Sequence, residues 1–113
     1  MHELSLAQAI IDSIEAAARS ERFTRARVVR LEIGELSCVE PHALRLAFEV
    51  ASVGSAAEGA TLVLLTVEGW GRCRACGEES AMHEFHASCP RCGAVPLEPL
   101  RGTELRIMTL DVD

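Results

Sequence analysis

The stretch CRACGEESAMHEFHASCPRCG constrains this chain more than any other: Cys73-x-x-Cys76, then twelve residues, then Cys89-x-x-Cys92. A C-x-x-C turn brings two thiols to one side of a tight loop, at the separation of adjacent corners of a tetrahedron. Two such turns supply four soft ligands and close the coordination sphere of one ion. Gly77 and Gly93 each follow the second cysteine of a pair, where a left-handed backbone turns amides toward sulfur. A Zn(II) ribbon is expected. The role is structural, because a catalytic zinc keeps a position open for water and four cysteines leave none. Iron in an electron carrier uses the same four ligands, and spacing does not choose between the two metals. Residues 69–102 hold five of the eight glycines, three of the four prolines and four of the five cysteines. Such a segment cannot build a hydrophobic core, so the metal substitutes for one.

The rest of the chain reads as regular structure. Ala7, Ile10, Ile11, Ile14, Ala17 and Ala18 recur at helical spacing, which predicts a helix over 6–20. Ser5 and Gln8 fit a capping box at its start. RVVRLEIG (27–34) alternates, with Val29, Leu31 and Ile33 on one face, and predicts a half-buried strand. Glu40-Pro41 opens a second helix whose apolar stripe is Leu44, Ala47, Phe48 and Ala51, closed by Gly54. ATLVLLTVE (60–68) is apolar on both faces and reads as a central strand. TELRIMTLDV (103–112) makes a third. The fold class expected is α+β: a small mixed three-stranded sheet with two helices, plus an inserted four-cysteine zinc-ribbon domain. The first two strands flank a crossover helix, which suggests a parallel βαβ pair. Residues 1–68 and 103–113 form one discontinuous α/β domain, and 69–102 the ribbon.

Charge narrows the partners. The net charge is −6, with eleven arginines, no lysine and 17 acids. Nucleic acid is disfavoured, since a backbone-binding chain concentrates positive charge. The loose arginine cluster from Arg19 to Arg30 reads as a solvated helix end and strand face. No apolar run is long enough to span a bilayer, and no basic segment followed by an apolar one opens the chain. A soluble, cytoplasmic protein without a membrane partner is expected, and its cysteines read as metal thiolates. There is no nucleophile paired with a base and no phosphate loop, so the chain does not read as an enzyme.

The first residues, MHE, offer a second kind of metal chemistry. The α-amine of Met1, the His2 peptide nitrogen and the His2 imidazole can close adjacent chelate rings around one ion. Planar nitrogen ligation of this sort suits Ni(II) or Cu(II). Glu3 can add an oxygen or orient the imidazole.

MHELSLAQAII, VVRLEIGELSCVEPHALRLAFEVAS, the paired C-x-x-C module with CPRCG, and GTELRIMTLDVD occur in the order seen in the HypA/HybF family of nickel-insertion accessory proteins, which this chain resembles over nearly its whole length. The resemblance implies a nickel metallochaperone for maturation of [NiFe]-hydrogenase, and in some organisms of urease. It implies Ni(II) as cargo, bound through His2 and Glu3, and Zn(II) held by Cys73, Cys76, Cys89 and Cys92. The partners implied are the GTPase HypB and the [NiFe]-hydrogenase large subunit, and a homodimer stays open as the assembly. His42 stands where members often carry glutamate, and is expected on the surface. Arg74 or Gly77 occupies a position beside the ribbon cysteines where some members carry histidine. Cys38 is expected to be a small buried apolar residue, and His83 and His86 to be surface residues. The alternative is a zinc-ribbon adaptor that binds protein or nucleic acid.

Overall fold

A computed structural model describes residues 2–113. Helix α1 spans Glu3–Glu21, strand β1 Ala26–Gly34, helix α2 Pro41–Ser52 and strand β2 Thr61–Val67. Three short strands follow, β3 (Trp70–Arg72), β4 (Glu79–Ala81) and β5 (Glu98–Arg101), before β6 (Leu105–Val112) closes the chain. A 3-10 turn at Glu35–Ser37 joins β1 to α2. The fold class is the α+β one read from the sequence. One sheet has the order β2-β1-β6 and the other β4-β3-β5.

The chain divides into two compact units. The first takes the chain up to Leu31, Val39–Leu64 and Ile107–Asp113. Here α1 buries Ala7, Ile10, Ile11 and Ile14, and α2 buries Leu44 and Phe48, and the two helices pack on each other. Proline at the first helical position and the Glu40 carboxylate, which accepts the His42 N–H at 2.6 Å, start α2 as its sequence predicts. Val29 and Leu31 of β1 are fully buried. On the polar side, Arg27 pairs with Asp113 at 2.6 Å and Arg30 with Asp111 at 2.8 Å. Numbers rise along β1 as they fall along β6, so these two strands run antiparallel.

Two expectations are corrected here. The Ser5–Gln8 capping box does not form, because α1 starts earlier: His2 is its N-cap and Ser5 lies inside it. Gln8 instead donates to Asp12 at 3.0 Å. Strand β2 is an edge, and β1 is central. Branched apolar composition marks a strand but does not rank it, and only Leu62 of β2 is fully buried, with Leu65 left 43% exposed.

The second unit gathers Glu32–Cys38 and Leu65–Arg106, more chain than the sequence assigns to the ribbon. Its core explains the difference. Leu36 of the 3-10 turn is buried with Cys73, Met82, Cys89 and Leu97. Beside it three backbones meet with no room for side chains. A Cβ on Gly34 would lie 2.0 Å from the Gly102 carbonyl oxygen, and one on Gly69 2.1 Å from that of Met82. Leu36 donates its N–H to Gly102 at 2.7 Å. Strand β3 pairs antiparallel with β4 and β5, with a bulge between Trp70 and Gly71. The Arg101 guanidinium lies 5.1 Å over the Trp70 ring, whose N–H donates to Glu79.

Because Leu36 is 2% exposed, Leu36→Ala leaves a cavity beside two cysteines. The expected cost is about 2–5 kcal/mol in chemical denaturation, with faster loss of ribbon metal to a chelator. Unchanged stability would show that the turn is not part of the ribbon core.

Candidate metal centres

The Sγ atoms of Cys73, Cys76, Cys89 and Cys92 lie within 4.8 Å of one another. Cys73 and Cys92 are 3.6 Å apart, and Cys76 and Cys89 3.7 Å. A tetrahedron with metal–sulfur bonds of about 2.3 Å has edges of about 3.8 Å, so the cluster has the size of one four-coordinate shell. Among the described residues no other group of three or more ligating side chains is so placed.

The two C-x-x-C turns are built alike. Gly77 (φ 79) and Gly93 (φ 63) take the left-handed conformation and donate to the carbonyls of Cys73 and Cys89, both at 2.9 Å. The Cys76 N–H reaches Cys73 Sγ at 3.4 Å, and the Arg91 and Cys92 N–H groups reach Cys89 Sγ at 3.4 and 3.5 Å. These donors favour thiolate. The Cys92 N–H, opposed by desolvation and joined by the Arg91 N–H, holds the Cys89 thiol down to about 6. The Cys76 N–H lowers Cys73 in the same way. Cys76 receives the Glu78 N–H, yet desolvation and the neighbouring thiols push it up to about 12. Four adjacent sulfurs cannot all carry charge unaided, and a cation removes the conflict.

The two ribbon histidines stand outside this cluster and are exposed. His83 Nδ1 lies 2.7 Å from one carboxylate oxygen of Glu35, whose other oxygen accepts the Gly69 N–H at 2.9 Å. The Gly69 amide first, then His83, holds the Glu35 carboxyl below the usual range. His83 thereby ties the 3-10 turn to the ribbon, a role that no local motif announces. His86 has φ 65 and faces the Phe85 ring at 6.4 Å.

At the other end of the chain, the His2 carbonyl accepts the Leu6 N–H at 2.9 Å and the side chain is exposed. Glu3, in the first helical turn, is 8% exposed, and its carboxylate accepts the Glu40 N–H at 3.1 Å. The start of α2 thus holds Glu3 in place next to His2 in the chain, and Glu40 is a positioning residue that sequence reading missed. The Met1 amine, the third expected ligand, lies outside the described residues. His42 is on the surface as expected. Cys38 is corrected: it is exposed and caps the 3-10 turn at φ 61, because the chain needs a left-handed residue there before entering α2.

Four cysteines gathered to the size of one four-coordinate shell, in a unit with few apolar residues of its own, are features of a small metal-binding protein. The family model described as "Hydrogenase/urease nickel incorporation, metallochaperone, hypA" matches residues 1–112, and the chain belongs to that family. It is 42% identical to the hydrogenase maturation factor HypA of Dechloromonas aromatica over 113 residues, covering 100% of each chain. It is 45% identical to that of Cupriavidus necator, covering 100% of this chain and 95% of the relative. The solution structure of the Ni metallochaperone HypA from Helicobacter pylori matches with a TM-score of 0.74 at 23% identity, covering 99% of this chain and 97% of that one. At that identity the likeness speaks to the fold.

Metal uptake by the metal-free ribbon should depend on pH with a definite sign. Cys89 is lowered from the ordinary value of 9.0 to about 6, so it is ionised at neutrality and protonated as pH falls through about 6. Uptake measured against a colorimetric chelator is expected to weaken over that fall, and Cys89→Ser to lose the metal at every pH. Uptake independent of pH would contradict the thiolate assignment.

Proposed function

We propose that this chain is a nickel metallochaperone that binds Ni(II) through the Met1 amine, His2 and Glu3 and delivers it for maturation of [NiFe]-hydrogenase. Zn(II) sits in Cys73, Cys76, Cys89 and Cys92 as a structural ion. Nickel handling belongs to the α/β unit that carries the N-terminal residues, and zinc to the ribbon unit of Glu32–Cys38 and Leu65–Arg106. The partners are the GTPase HypB and the hydrogenase large subunit. The protein works in the cytoplasm, not as an enzyme, and binds neither nucleic acid nor membrane. No described helix is long and apolar enough to cross a membrane, which fits that reading.

The observation that carries the nickel assignment is the exposed His2 next to a Glu3 carboxylate held by the Glu40 N–H. The Met1 amine, the His2 peptide nitrogen and the His2 imidazole would form two fused chelate rings, and planar nitrogen ligation suits Ni(II) better than zinc. Release follows from exposure. A recipient's ligands replace the arms of an open terminal chelate one at a time, whereas a buried cage must unfold. Four thiolates on short turns do the opposite and hold their ion through the life of the fold.

The test is a nickel titration of tag-free, zinc-loaded protein, followed by calorimetry and visible absorption beside His2→Ala. One nickel per chain in the wild type, lost in the variant with zinc content unchanged, is the expected result. Equal binding by both would move the nickel site elsewhere, with His42, His83 and His86 next in line. No binding by either would favour a zinc-ribbon adaptor.

A further inference from the structure

The arginines grouped between 19 and 30 fall into two kinds. Arg27 and Arg30 are neutralised by Asp113 and Asp111. Arg19 and Arg22 pair with no acid among the described residues, and Arg25 donates only to the main-chain carbonyl of Glu58, at 3.0 Å. All three are exposed. A chain of net charge −6 with 17 acids thus leaves three guanidinium groups without a direct carboxylate partner among the described residues, within the seven residues from Arg19 to Arg25. The helix dipole accounts for Arg19 in the last turn of α1. It does not account for Arg25, which lies beyond the left-handed cap at Arg22, φ 58.

Arg19 and Arg25 line one open cleft of about 450 Å³, walled by Phe23 and the Ser55–Ala56 backbone. Its one carboxylate, Glu15, is committed to the Ala56 N–H at 2.5 Å. A neighbouring cleft of about 570 Å³ contains Arg25 and Arg27 but also Glu58 and Asp113, so its charges cancel. Arg25 lines both clefts, and only the first keeps an excess of one positive charge, two arginines against Glu15.

We propose that the cleft of Arg19, Phe23 and Arg25 docks an acidic segment of a partner protein, with carboxylates on the two guanidinium groups and an apolar side chain against Phe23. Guanidinium forks match carboxylates through paired N–H donors, and the half-buried ring offers the apolar contact that a purely electrostatic surface lacks. A nucleic-acid backbone needs a track of several cations, and this cleft supplies two. The site lies in the α/β unit and is independent of the nickel reading.

The experiment uses the full-length, zinc-loaded chain and a fluorescein-labelled peptide of alternating glutamate and leucine, followed by anisotropy. Saturable binding that weakens as salt rises is expected. Reversal of both charges, Arg19→Glu with Arg25→Glu, should weaken it about tenfold or more, the loss of two exposed ion pairs. The alanine pair at the same positions, which avoids placing a negative charge at the helix C-terminus, should weaken it less but in the same direction. Arg74→Glu, in the ribbon, should leave the peptide affinity unchanged, and nickel titration of the Arg19/Arg25 variants should match wild type. The proposal is overturned if the wild type fails to bind, if the charge-reversed pair binds equally, or if an RNA oligonucleotide of matched length binds the same arginines more tightly.

Discussion

Four sulfurs gathered within 4.8 Å of one another repel when charged, and a cation among them would remove that repulsion. Two of the five residues in the ribbon unit's buried cluster, Cys73 and Cys89, are also candidate metal ligands. A metal bound there would therefore not be attached to a finished core but would complete one. The remaining members, Leu36, Met82 and Leu97, are too few to order three short strands and several turns, since segments of this size fold with a metal or a disulfide in place of apolar bulk. The N–H donors aimed at Cys73 and Cys89 prepare the sulfurs for the cation, and the two left-handed glycines make that aim possible.

Leu36 extends this logic along the chain. It comes from the turn after β1, and it reaches the ribbon cluster because Gly34, Gly69 and Gly102 let three backbones approach without side chains between them. Gly102 also needs its φ of 99, a conformation that other residues rarely adopt, and a Cβ there would fall 2.5 Å from Gly69 Cα. The same run of chain, four residues past Leu36, presents the Glu40 N–H that holds Glu3. One short connection between β1 and α2 thus supplies both a ribbon core residue and the anchor of the terminal carboxylate.

What the sequence made legible was whatever depends on spacing. The two C-x-x-C pairs gave the four clustered cysteines and the left-handed glycines after them. The helical and alternating patterns gave α1, β1 and α2, and Pro41 with Glu40 gave the start of α2. What it concealed depends on partners distant in the chain. The Ser5–Gln8 pattern is a valid start signal, but the earlier start at Glu3 wins, with the carboxylate near the helix N-terminus and bonded to a backbone group 37 residues away. Cys38 looked apolar by type, yet its place is set by a turn that needs a left-handed residue. The strands β3 to β5 are only three or four residues long, below the length at which alternation can be recognised. Glu35 and His83 are 48 residues apart, and nothing local to either marks the pair.

The contrast between the two ends of the chain has a physical basis. A site that must keep its ion benefits from a fold that depends on that ion, because loss of the ion then carries the cost of unfolding. The ribbon would meet that condition, with Cys73 and Cys89 in its buried cluster. A site that must give its ion away benefits from the reverse: few fixed ligands, open access, and arms that let go separately. On the proposed reading, the terminus has one arm held, the Glu3 carboxylate, and one exposed, the His2 imidazole. If both arms were fixed, transfer would require opening the α1–α2 contact; if neither were, the chelate would compete poorly with solvent and with other chains. One held arm and one exposed arm satisfy both demands within a single turn of helix.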